Sequence, residues 1–282
     1  MGRLGGREVG YGSDADVLFV HDPLPGADAA AAQAQATAVA ARLRALLSAT
    51  GPEPALEVDA DLRPEGRNGP LVRTLASYAE YYERWSSPWE AQALLRARPV
   101  AGDEDLGRRF EALVDPLRYP AGGAYATVVR EVRRLKARME AERLPRGVDP
   151  ARHLKLGRGG LSDVEWTVQL LQLEHAHEVP ALKTPSTLEA LDAAAAEELV
   201  AEADAAILRE AWLTASRLRD AIVLLTGRVG GTAGDVLPHD VRALGGLARI
   251  LGMPPGSAAE LEESYLRTGR RARAVMERVF YG

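Results

Sequence analysis

The chain has 282 residues, 46% of them hydrophobic, with a formal net charge of −5 and no cysteine. That length holds one large domain or two ordinary ones, while the missing thiols exclude disulfides and thiolate metal sites. The acidic balance speaks against a nucleic-acid partner, which needs a basic face, and no apolar stretch nears the roughly 20 residues that cross a bilayer. The glycines and charges at the N-terminus are not a signal-peptide pattern, so the expectation is a cytoplasmic protein with no membrane or nucleic-acid partner.

In chain order, residues 17–21 read as a short buried strand, ended by His21-Asp22-Pro23 because proline cannot continue a ladder. Residues 29–48 are alanine-rich, with Val39, Leu43, Leu46 and Leu47 at helical spacing. Residues 56–62 alternate with period 2, the pattern of a half-buried strand, and Pro64 closes it. Helices are predicted over 71–85 and 90–98. From about residue 124 strand signals vanish, and helical periodicity covers 125–142, 161–177, 197–226, 241–251 and 257–280. Pro145, Pro180, Gly230-Gly231 and Pro254-Pro255 stand at the joints. The fold class predicted is therefore α+β: a small α/β domain over 1–120 followed by an all-helical bundle over 121–282. Trp85, Trp89, Trp166 and Trp212 fall on helical patterns and are expected to pack. Arg130, Arg133, Arg134, Lys136 and Arg138 read as a solvated helix face, with an acidic-partner surface as the alternative.

The chemistry-bearing feature is Asp14-Ala15-Asp16. On a strand both acids share a face, and two unit charges about 5 Å apart repel by roughly 3 kcal/mol at an effective dielectric near 20. A divalent cation between them reverses that sign, and ligands that are all oxygen favour Mg²⁺ or Mn²⁺. Asp59 and Asp61 repeat the arrangement, so a third acid from that strand would complete a clamp for phosphoryl or nucleotidyl transfer. Gly5-Gly6 and Gly12-Ser13 allow backbone N–H groups to approach a triphosphate, with the Ser13 hydroxyl as a further donor. Arg63 is the nearest basic candidate for phosphate charge, equally readable as a structural ion-pair partner. Lys155 to Asp163 is glycine-rich and opens a helix. It reads either as an anion site, with Lys155 and Arg158 adding charge, or as a tight turn capped by Ser162 or Asp163.

Four stretches resemble one known family: Gly5-Gly6-Arg7-Glu8 through Gly12-Ser13-Asp14-Ala15-Asp16; Val58-Asp59-Ala60-Asp61-Leu62-Arg63-Pro64-Glu65-Gly66-Arg67-Asn68-Gly69; the segment from Trp89-Glu90 to Arg98; and Lys155-Leu156-Gly157-Arg158 through Trp166. Together they resemble the glutamine synthetase adenylyltransferases of the nucleotidyltransferase superfamily, and more narrowly the C-terminal, adenylylating half. The resemblance implies a small mixed sheet with helices, transfer of AMP from ATP to a tyrosine of glutamine synthetase, and Mg²⁺ or Mn²⁺ held by Asp14, Asp16 and Asp59. It implies the PII signal protein and glutamine as effectors. Relatives have an apolar strand leading into the glycine motif, so the sheet is expected to lack its first strand. Many relatives also carry Arg where Asp61 stands, which leaves Asp59 as the third carboxylate. The alternatives are phosphorolytic removal of AMP, uridylyl transfer to a PII-type protein, and a non-catalytic fragment that docks the synthetase or PII.

Overall fold

A computed structural model describes residues 1–52, 54–229 and 231–282. The chain folds as two compact units: residues 1–9 with 13–121, and residues 10–12 with 122–282.

The first unit begins with a single helical turn, α1 (Gly2–Gly5), and then strands β1 (Ala15–Asp16) and β2 (Phe19–His21). Helix α2 (Ala29–Leu47) is capped by Asp28, whose carboxylate accepts the Ala31 N–H at 2.7 Å. After β3 (Val58–Asp59), β4 (Val72–Thr74) leads directly into α3 (Leu75–Trp85), followed by α4 (Pro88–Leu94) and α5 (Glu104–Arg118). Both strand pairs are parallel: β1 with β3 in the register Ala15↔Val58 and Asp16↔Asp59, and β2 with β4 from Phe19↔Val72 to His21↔Thr74. Parallel neighbours need crossovers, which α2 supplies by packing on β2 and β4. The core behind the strands joins Tyr78, Tyr82, Leu94, Ala97, Phe110 and Val114, with the Tyr78 and Phe110 rings edge-on at 5.2 Å.

Several expectations for this unit are corrected. The predicted helix over 71–85 begins only at Leu75, because Thr74 ends β4 and its hydroxyl then caps α3 by accepting the Ser77 N–H at 3.0 Å. The alternation over 56–62 yields just two strand residues, because the chain turns at residue 60 into a loop that Arg63 closes. Helix α2 forms as predicted, yet Val39, Leu43, Leu46 and Leu47 are exposed and Ala40 is its buried residue. Alanine's helix propensity carries that segment more than an apolar face does. Trp85 and Trp89, expected to pack, are exposed, while Trp212 is buried. Helix α5 was not singled out from the sequence, although Asp103 marks its start by accepting the Leu106 N–H at 2.8 Å.

The second unit contains α6 (Ala126–Arg143), α7 (Leu161–His175), α8 (Thr187–Ala196), α9 (Glu202–Thr226), the short α10 (Gly231–Gly234), α11 (Val241–Ile250) and α12 (Ala258–Met276), which ends in a wide π turn over Glu277–Tyr281. Helix α12 packs against α7, α9 and α11. The predicted helix over 197–226 starts later, at Glu202. Glu198 takes the left-handed conformation, φ 57°, and separates it from α8. Gly230, in an expected joint, lies outside the described residues.

Lys136 is also corrected: it is not on a solvated face but fully buried. Its Nζ donates at 2.6 Å to both Asp163 and Glu140, and Arg273 donates to the same two carboxylates at 3.2 and 2.9 Å. Burial alone would raise the Glu140 carboxyl, but the hydrogen bonds from Lys136 and Arg273 bring it below its usual range. The other Asp163 oxygen accepts the Gly159 N–H at 2.7 Å. A buried pair loses far more when one partner is removed than an exposed pair does. Asp163→Ala is therefore expected to cost about 3–5 kcal/mol in denaturant unfolding of this unit. Glu80→Ala, which breaks the exposed Arg84 pair, is expected to cost below about 0.5 kcal/mol.

His153 is buried, and its Nδ1 accepts the N–H groups of Lys155 and Leu156 at 3.3 and 3.2 Å. Burial pulls its pKa below the ordinary 6.5. A base with a depressed folded pKa gives stability that is complete above its unfolded pKa and declines as pH falls below it. Urea midpoints measured from neutral pH downward should fall beneath about pH 6.5, and His153→Asn should flatten that dependence.

Candidate active site

The acidic cluster is built by strand register. The Ala15 N–H donates to the Glu57 carbonyl at 2.8 Å and the Val17 N–H to the Asp59 carbonyl at 2.7 Å, which fixes Asp16 beside Asp59. Asp14 enters from the residue before β1. One carboxylate oxygen from each of Asp14, Asp16 and Asp59 lies within 4.8 Å of the others; Asp16 and Asp59 are half-buried and Asp14 is exposed. At that spacing each pair of charges repels by about 3 kcal/mol at an effective dielectric near 20. Three hard oxygen donors without histidine suit Mg²⁺ or Mn²⁺, and ligand bonds of about 2.1 Å span such a cluster with small rotamer adjustments.

Asp61 does not join the cluster. Its backbone N–H donates to Asp59 Oδ1 at 2.6 Å, while its carboxylate takes Arg67 Nε at 2.5 Å and Arg63 Nη1 at 3.4 Å. The hydrogen bond from Arg67 holds the Asp61 carboxyl below its usual range. So β3 gives Asp59 to the cluster and the turn after it gives Asp61 to two arginines.

The other predicted site residues divide. Gly5 and Gly6 do not offer their N–H groups to a ligand, for these donate to the carbonyls of Met1 (2.6 Å) and Gly2 (3.1 Å). A Cβ on Gly5 would collide with the Arg96 carbonyl and one on Gly6 with the Arg96 guanidinium, so both are glycine for close packing. Arg96 in turn pairs with Glu8, and Arg98 donates to the Gly5 and Leu4 carbonyls at 2.7 and 3.1 Å. The sequence carries no local signal for these clamps, because each joins residues about 90 positions apart. Gly12 takes φ +67° in the second unit, where its Cβ would meet the Val229 side chain. Ser13 belongs to the first unit and precedes Asp14.

Arg63 is mostly buried, donating to the carbonyls of Gly69 (3.2 Å) and Ala60 (2.9 Å) as well as to Asp61. It clamps the loop through Nε and Nη1. Lys155 is exposed, on the second unit. The expected anion site at the start of α7 is corrected. The N–H groups of Leu161, Ser162 and Asp163 donate to the carbonyls of Leu154 (2.9 Å), Lys155 (2.9 Å) and Gly160 (3.1 Å), leaving the tight-turn reading.

Comparison with known proteins finds relatives along the whole chain. Residues 1–113 match the family described as glutamate-ammonia ligase adenylyltransferase, and residues 130–280 match the family described as GlnD PII-uridylyltransferase. The bifunctional glutamine synthetase adenylyltransferase/adenylyl-removing enzyme of Mycobacterium avium is 59% identical over 280 residues, 99% of this chain. The chain belongs to the glutamine synthetase adenylyltransferase family. The protein of the same name from Streptomyces avermitilis is 58% identical over 282 residues, all of this chain, and that from Streptomyces coelicolor 58% over 281. The chain spans 28% of the length of each of these relatives. Among the described residues no helix is long and apolar enough to cross a membrane.

If the three carboxylates form one cation site, Mg²⁺ should raise the melting temperature of this chain, as any ligand of the folded state does. The expected gain is about 2.7 kcal/mol at 100 times the dissociation constant. Asp16→Asn and Asp59→Asn should melt higher than the parent chain in EDTA, because repulsion is relieved, and should lose the Mg²⁺ response. Differential scanning calorimetry with and without the ion reads both.

Proposed function

We propose that this chain transfers AMP from ATP to a tyrosine of glutamine synthetase and releases pyrophosphate, down-regulating the synthetase. The observation that carries this reading is the convergence of Asp14, Asp16 and Asp59 within 4.8 Å in a segment that matches the adenylyltransferase family. Residues 1–121 would then form the nucleotidyltransferase domain and 122–282 its helical partner domain. A protein that modifies a metabolic enzyme works in the cytoplasm, and PII and glutamine are the effectors we assign to it.

In this reading Asp14, Asp16 and Asp59 would hold Mg²⁺, or Mn²⁺, which would supply neutralisation of phosphate charge. Asp59 also accepts the phenolic proton of the incoming tyrosine, whose solution pKa is near 10, so that a base must assist at neutral pH. The phenolate oxygen attacks the α-phosphorus in line. A P–O bond to AMP forms as the P–O bond to pyrophosphate breaks, and the proton leaves through the carboxylate. The Ser13 hydroxyl, beside Asp14, is a donor toward phosphate. Asp59 is the third carboxylate, since Asp61 is taken by Arg67 and Arg63.

A second reading has specific support, because residues 130–280 match the PII-uridylyltransferase family: uridylyl transfer to a PII-type protein. Purified glutamine synthetase and PII, each supplied with α-labelled ATP or UTP and Mg²⁺, separate the two. Label from ATP should enter the synthetase, and Asp14→Asn or Asp16→Asn should reduce it by at least about 10²-fold with an unchanged circular dichroism spectrum. Label entering PII from UTP would support the second reading, and release of AMP from adenylylated synthetase with phosphate would support removal. Binding of either protein without label would leave a docking role.

A further inference from the structure

We propose that Arg67 binds the terminal phosphates of the nucleoside triphosphate, held beside the acidic cluster by Asp61; this rests on reading the cluster as a nucleotidyl-transfer site. Two consecutive hydrogen bonds link the guanidinium to the cluster. Asp59 Oδ1 accepts the Asp61 N–H at 2.6 Å, and Asp61 Oδ2 accepts Arg67 Nε at 2.5 Å. The guanidinium is held above its usual pKa, first by the Asp61 hydrogen bond and charge and then by the field of Asp59.

The backbone brings Arg67 to this position. Glu65 and Gly66 are both left-handed, with φ of 64° and 56°, and the 3₁₀ turn Gly66–Asn68 carries the chain back over Asp61. A non-glycine residue in that conformation is uncommon and must be held by its surroundings. Here Arg63 does so by tying the Ala60 and Gly69 carbonyls together, and the Glu65 side chain pairs with Arg73.

The two arginines of the loop differ in what they leave available. The Arg63 side chain is 10% exposed, and its Nε and Nη1 groups donate to the loop. The Arg67 side chain is 84% exposed, and among the described residues its hydrogen bond is the one through Nε. Its two Nη groups, with four N–H donors, face solvent. An exposed ion pair of this kind contributes little to stability, so folding does not explain the loop's geometry around Arg67. A guanidinium fixed through Nε presents the other two nitrogens as a planar fork suited to phosphate oxygens. With the α-phosphate at the carboxylates, the pyrophosphate end carries most of the remaining negative charge and is the acceptor matched to that fork.

The test is calorimetric binding, in Mg²⁺, of three probes: α,β-methylene ATP, which cannot transfer its nucleotidyl group, inorganic pyrophosphate, and AMP. Arg67→Ala should weaken the first two by about 10-fold, the scale of a charge-assisted hydrogen bond, and leave AMP unchanged. Asp61→Asn should act in the same direction and more weakly. Arg109→Ala, which removes an exposed arginine of α5 that pairs with Asp22, controls for loss of one positive charge. Equal weakening of all three probes, or an effect no larger than that of Arg109→Ala, would overturn the assignment. Parent chain that binds the ATP analogue alongside an unaffected Arg67→Ala overturns the role of Arg67 alone. Parent chain that binds no nucleotide overturns the reading of the cluster and this assignment with it.

Discussion

Three carboxylates within 4.8 Å repel one another, and the first unit is organised so that they stay together. The means is backbone hydrogen bonding between β1 and β3, whose register sets Asp16 directly beside Asp59. Two-residue strands are weak by themselves. They are stabilised here because Ala15, Val58 and Ala60 are buried beneath them, on the core side of the pleat, while the acids take the other side. Apolar burial on one face thus supports electrostatic strain on the opposite face, an arrangement that suits the cation site we propose there.

Arginine does much of the structural work around that strain. Arg96 and Arg98 bind the glycine turn at the start of the chain, Arg63 closes the loop after β3, and Arg44 donates from the end of α2 to the Val58 carbonyl at 3.1 Å. Arg98, Arg63 and Arg44 satisfy carbonyls that short strands and tight turns leave without partners, and Arg96 pairs with a carboxylate. The guanidinium suits this task because its planar donors reach two or three acceptors at once.

The helical unit follows a different logic. Its buried ion cluster of Lys136, Glu140, Asp163 and Arg273 ties α6, the start of α7 and α12 together. Apolar packing tolerates sliding of helices past one another, whereas a buried carboxylate with two cations and a backbone N–H has one arrangement that satisfies it. The Lys155 to Asp163 motif belongs to that network: its glycines let the loop pack on itself, and a Cβ at Gly159 would meet the Gly269 carbonyl of α12.

The sequence by itself determined the α+β class, most helices of the second unit and the acidic residues of the site. Those features are local: periodicity, helix propensity and an Asp-x-Asp spacing are written within a few consecutive positions. The family, too, was legible, because its motifs are short and contiguous. That Asp59 and not Asp61 lies beside Asp14 and Asp16 rested in the sequence on the resemblance alone, and the fold supplies the geometry, since register between strands is set by burial and not by spacing. Tertiary structure alone decided that Lys136 is buried, because only the approach of α7 brings Asp163 to it, and that β4 exists, because three residues become a strand only beside β2. Arg63 and Arg67 look alike in sequence. The fold separates them by turning one inward to carbonyls and leaving the other's donors open beside the carboxylates.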